Sequence, residues 1–224
     1  MESVDRRRFL QCLAIAGTSP ALPLTTRAET SPLGSLRMDS RRILDLPEGF
    51  RYDIVSRAGA RMDDGLRVPH AHDGMAAFPG EDGRVILVCN HELAPSDFEQ
   101  SAFSPSFRGV SGHIKRKLYD LGGGNHPGAG GTTTTIYNPA TGETERQHLS
   151  LGGTELNCAG GPTPWGSWLS CEECFEGPGT GWSLGRVVRR DKAHGYVFEV
   201  PVNETGLTDA VPLRQMGRFE HEAA

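Results

Sequence analysis

Three short segments concentrate residue types that bind cations. They are Cys89-Asn90-His91-Glu92, the run from Asn157-Cys158 to Cys171-Glu172-Glu173, and Gly217-Arg218-Phe219-Glu220-His221-Glu222. Carboxylates suit hard cations such as Ca²⁺, Mg²⁺ or Fe³⁺. Glu172-Glu173 and Glu220-x-Glu222 supply them in adjacent or alternate positions. On an extended chain Glu220 and Glu222 share a face, so both could hold one ion or bridge two. A thiolate is a softer ligand that calcium does not use, so Cys158, if it ligates, points to iron. Plainer readings stand beside these: Glu172-Glu173 as a solvated edge pair, and Cys158 as a small buried apolar residue. Cys171-Glu172-Glu173-Cys174 is a single C-x-x-C, without the second pair that a zinc site needs. His91 and His221 read equally as donors behind a site or as surface residues. His70 and His72 read as part of a packed loop. The glycines at 122–124 lack the Lys and the strand-to-helix setting of a phosphate-binding loop.

Such residues need strands to hold them. The chain has 224 residues with Gly 29 and Pro 15, 37% apolar and 7% aromatic. That composition argues against a helix bundle and for loop-rich β structure. Strand-like runs fall at 51–56, 84–89, 132–137, 143–150, 166–171 and 195–200. Asn138-Pro139-Ala140-Thr141-Gly142 reads as a hairpin turn. Ile86-Leu87-Val88 and Tyr196-Val197-Phe198 do not alternate, so they read as inner strands buried on both faces. One short helix is expected near 112–121. The class is all-β, either sandwich or propeller, with no strict repeat to decide between them. In a propeller, ligands at strand ends can converge on the axis, with Trp165 and Trp168 packed between blades. The chain stops at Ala224 with no closing strand, so only the front part of a ring is expected.

The first residues read as an address. Arg6-Arg7-Arg8-Phe9-Leu10 precedes a short apolar run, Cys12 to Gly17, the pattern of a twin-arginine (Tat) export signal. The run is far shorter than the ~20 apolar residues that span a bilayer, so stable membrane insertion is not expected. The organisation read from sequence is a signal peptide at 1–28, a linker at 29–45 and a folded body at 46–224. The expected destination is periplasmic or extracellular, and the partner implied is the Tat machinery. Lys+Arg 23 against Asp+Glu 28 gives a net charge of -5, with no electrostatic footprint for nucleic acid.

At the three clusters the sequence resembles the PhoX family of alkaline phosphatases. The matching pieces are the leader, Asn90-His91-Glu92, Gly130-Gly131-Thr132-Thr133-Thr134, the block from Leu156 to Glu173, His194 to Val200, and Met216 to Glu222. The resemblance implies a β-propeller, here incomplete, with an axial cluster of Fe³⁺ and Ca²⁺, hydrolysing phosphomonoester substrates at alkaline pH. By motif, Cys158, Glu220 and Glu222 would be catalytic metal ligands, and Glu173 a calcium or substrate-side ligand. Asn90 and Glu92 would be substrate-binding residues. Two departures follow from the same comparison. Cys174 stands where members often carry Asn, and the ligands of later blades would lie beyond Ala224. The alternative carried with this reading is a non-catalytic exported calcium-binding propeller used for binding or scaffolding.

Overall fold

The computed structural model describes residues 33–224. The proposed signal peptide at 1–28 lies outside them. The chain divides into two compact units, the first ending at Tyr52 and the second running from Asp53 to Ala224. In the first unit, β1 (Leu36–Arg37) pairs antiparallel with β2 (Leu46–Pro47). Asp39 ties the intervening turn by accepting the Arg41 and Ile43 N–H groups and the Tyr52 hydroxyl.

The second unit is mostly β-sheet. β3 (His72–Pro79), β4 (Val85–His91), β5 (Gly128–Asn138) and β6 (Glu143–Gly153) form an antiparallel sheet in chain order. β7 (Asn157–Pro162), β8 (Ser167–Glu172) and β11 (Val197–Pro201) form the next, also antiparallel. A bridge from Phe198 to Pro212 continues it outward. β9 (Gly179–Ser183) and β10 (Arg186–Arg190) are a hairpin inserted between β8 and β11. α1 (Gly112–Lys117) is a short helix whose first turn is capped by Ser111 Oγ, accepting from Ile114 N at 3.3 Å. Among the described residues no closed barrel or ring is formed. The all-β class holds.

The two sheets share one core. Phe78, Ile86, Val88 and Leu151 from the first pack with Trp168, Tyr196, Phe198 and Val200 from the second. Burying each such large side chain contributes about 1.5–3 kcal/mol. A second core gathers Met62, Val68, Phe103, Phe107, Leu118 and Leu149. The centre of the first sheet is unusually polar. The threonines at 132–135 are all buried, and β-branching suits them to a strand. Thr132 Oγ1 meets Ser150 Oγ at 2.8 Å, and Thr133 Oγ1 meets His91 Nε2 at 2.9 Å.

Several sequence expectations needed correcting. Residues 51–56 form no strand; Val55 and Ser56 are instead tied by side chains, the Val55 carbonyl accepting from Thr144 Oγ1 and the Ser56 hydroxyl from Gln147 Nε2. Trp168 is buried and bridges the two sheets, its Nε1 donating to Asn90 Oδ1 at 2.9 Å. Trp165 does not pack between sheets. It is 72% exposed and its Nε1 donates to Glu199 Oε1, because Gly166 turns the chain there. Strands β1, β2, β3, β7, β9 and β10 fall outside the strand-like runs of the sequence.

Candidate metal centre

The candidate centre is built where strand ends meet. Cys158 is the second residue of β7. Glu173 follows the last residue of β8, and Glu222 lies in the irregular terminal segment. Cys158 Sγ and one carboxylate oxygen from each of Glu173 and Glu222 lie within 4.8 Å of one another. Cys158 is buried while the two carboxylates reach solvent. The Cys158 thiol also lies 3.2 Å from the Glu222 carbonyl oxygen and 3.4 Å from that of His221. Glu92, just beyond β4, faces the same group. Its carboxyl is pushed up first by burial, then by a hydrogen bond with Asp73 and the charges of Asp73, Glu173 and Glu222.

Close backbone approach brings these strands together. At Gly74 in β3, an added Cβ would sit 2.7 Å from Ala159 Cα and 2.8 Å from the Cys158 carbonyl oxygen. At Gly160 it would collide with the Leu169 carbonyl oxygen of β8. Both positions therefore exclude any side chain. Asn90 locks the other contact between the sheets. Its Nδ2 donates to Ala159 O at 2.8 Å, and its Oδ1 accepts from Trp168 Nε1 and Ser170 Oγ, each at 2.9 Å. With its carbonyl fully used, Asn90 holds β7 beside β4.

Glu220 is exposed and is not one of the three converging residues. The segment carrying it belongs to no strand, and Glu220 and Glu222 are both exposed on either side of buried His221. Glu172 and Glu173 part company by strand alternation. Glu173 faces the thiol, while Glu172 is fully buried and accepts from His194 Nδ1 at 2.7 Å. His91 is buried and neutral. Its Nδ1 bonds the His70 carbonyl at 2.9 Å, and burial pushes its pKa down to about 3. His221 is buried too. Its ring lies 3.7 Å from that of Phe219, and its Nε2 finds no hydrogen-bond partner among the described residues.

The donor set fits a cation. Burial raises the Cys158 thiol to about 12, and the charges of Glu222 and Glu173 push the same way. The charges acting most strongly on Cys158 and Glu92 are all acidic. A bound cation would relieve both at once, with the sulfur suited to iron and the carboxylates to iron or calcium.

Asp73 escaped the sequence reading because it stands beside His72 in a segment that looked like a loop. Asp120, Glu155 and Arg190, which surround His194, escaped because nothing in their spacing links them. Comparison with known proteins supplies the remaining identification. No curated protein and no solved structure matches the chain. The family model described as alkaline phosphatase PhoX matches residues 31–224, which takes in every strand and every residue of the acidic centre. On that match the chain belongs to the PhoX family of alkaline phosphatases.

Proposed function

We propose that this chain hydrolyses phosphate monoesters with the help of cations held by Cys158, Glu173 and Glu222, flanked by Glu92 and Asp73. One observation carries the reading: a buried thiol and two carboxylates converge within 4.8 Å on a site whose dominant charges are negative. The family match supplies the reaction class. Fe³⁺ and Ca²⁺ are the ions this donor set suits, and when bound they would offset charge on the phosphoryl oxygens and supply an activated oxygen nucleophile. The protein's own part is positioning. Glu173 is held at the end of β8 and Glu222 on the terminal segment tied to it, and Cys158 must give up its proton before its sulfur can ligate. Glu220, exposed on the same segment as Glu222, is available to a neighbouring ion. Asn90 acts by holding β7 in place.

The propeller remains part of the same proposal. Two successive antiparallel sheets, with strand ends meeting at the acidic centre, support reading them as neighbouring blades. The twin-arginine leader supports export to the periplasm or beyond.

The test is hydrolysis of an aryl phosphate by the full chain, with and without a chelator. Turnover that stops with chelator and returns with iron plus calcium is expected. Chelator-resistant turnover, or a protein purified without metal that cannot be loaded, would overturn the reading.

A further inference from the structure

A second cluster of charge lies wholly inside the protein. His194 is completely buried. Its Nδ1 meets Glu172 Oε1 at 2.7 Å, and its Nε2 meets Asp120 Oδ2 at 3.1 Å and Glu155 Oε1 at 3.6 Å. Carboxylate oxygens only accept, so both ring nitrogens donate. Arg190 Nε donates to both oxygens of Glu155, at 3.0 and 2.9 Å. Backbone N–H groups complete the set. Gly195 and Tyr196 donate to Glu172 Oε2, while Gly122, Asp191 and Lys192 donate to Asp120. Buried charge of this kind is costly unless it is paired and hydrogen-bonded, and each of these carboxylates is.

Each residue of the candidate metal centre is tied to this cluster by a short covalent or hydrogen-bonded path. Glu173 follows Glu172 directly, and its N–H donates to Leu156 O at 2.9 Å. Leu156 in turn donates to Leu93 O at 3.0 Å, next to Glu92. Leu156 stands between Glu155 and Cys158 in a left-handed conformation, φ 46°. A non-glycine residue keeps that conformation only when its surroundings enforce it. The terminal segment is strapped on the same way. His221 N donates to Glu172 O at 3.0 Å, and Phe219 N to Gly195 O at 3.1 Å. Arg218 Nε donates to His194 O at 2.9 Å. Glu222 follows immediately.

We infer that His194, with Glu172, Asp120 and Glu155 around it, is the positioning core that sets Cys158, Glu173 and Glu222 at ligating distance. His194 touches none of the three. It acts through the backbone on either side of each. The inference rests on the proposed metal site, and it adds a residue that must be intact for that site to be preorganised.

The test is calorimetric titration of Ca²⁺ alone into the full chain, comparing wild type with His194→Gln, Arg218→Gln and Leu149→Ala. Leu149→Ala opens a cavity in the second core and serves as the control for lost stability without loss of the clamp. His194→Gln should fold, melt cooperatively and bind Ca²⁺ about 10–100-fold more weakly. Arg218→Gln removes the side-chain ties of the terminal segment to the His194 and Glu176 carbonyls and to the Phe175 ring, keeps its backbone straps, leaves the buried charges untouched, and should weaken binding to a smaller degree. It also keeps the inference testable should His194→Gln not fold. Leu149→Ala should melt earlier yet bind as wild type does. Wild-type affinity in folded His194→Gln, or in Arg218→Gln, would overturn the inference. So would an equal loss in Leu149→Ala, because binding would then follow stability alone. A flat wild-type titration would instead remove the metal site itself.

Discussion

Replacing Cys158 by serine keeps the size of the side chain and removes the only sulfur among the three converging ligand atoms. Iron content should fall by about 10-fold or more while calcium binding changes little, since calcium prefers oxygen. Elemental analysis of the purified variant reads this directly, and unchanged iron would show that the thiol is only packing. His194 carries a different residue-scale expectation. Burial alone would lower its pKa, but hydrogen bonds and charge from Asp120 and Glu172 raise it from 6.5 to about 10. A histidine with a raised folded pKa contributes stability that is full below its ordinary value. That stability is lost as pH climbs through the folded one. The unfolding free energy from denaturant melts should therefore fall between pH 6.5 and about 10, by roughly a few kcal/mol in all. His194→Gln should flatten that limb. An alkaline slope unchanged in the variant would contradict the assignment. Residue type made Cys158, Glu173 and Glu222 visible in the sequence. What it could not show was the parting of Glu172 from Glu173, which depends on which face of β8 is buried, or that Glu222 rather than Glu220 meets Cys158 and Glu173.

At the scale of elements, β7 is the piece that matters most. Its sequence, Asn157-Cys158-Ala159-Gly160-Gly161-Pro162, has poor strand propensity, which is why it was not foreseen. Gly160 is there for proximity to β8 and Gly161 for the close approach of the Ala224 carbonyl, tertiary requirements that local preference does not report. Gly74→Ala should push β3 away from Ala159 and Cys158, costing about 1–3 kcal/mol and weakening metal binding with it. Thermal melts and a calcium titration on the same sample check both, and a variant that melts and binds like wild type would contradict the packing argument. The strands that were legible, β4, β5, β6, β8 and β11, carry β-branched or aromatic runs closed by turn residues. The hairpin turn at 138–142 was legible for the same reason: Asn138 Oδ1 accepts the Ala140 N–H at 3.0 Å and fixes the reversal locally. The β9–β10 hairpin was hidden because its apolar residues Trp182, Leu184 and Val187 face solvent, leaving no alternation to read.

On the scale of the whole second unit, the centre is assembled from residues at 73, 92, 158, 173 and 222, no two of them on the same strand. Sequence spacing carries no information about such convergence; the order of strands in two sheets does. The all-β class follows from composition and turn frequency, whereas the packing of β3 and β4 against β7 across the sheets needs the glycines and Asn90 to be seen in space. The most direct test of the account is anomalous X-ray diffraction from crystals of the chain loaded with iron and calcium, measured on both sides of the iron edge. The account predicts an iron peak, present above the edge and lost below it, bounded by Cys158 Sγ and the carboxylates of Glu173 and Glu222, and absent in Cys158→Ser crystals. Metal found only elsewhere, with those three side chains bonded to water, would contradict it.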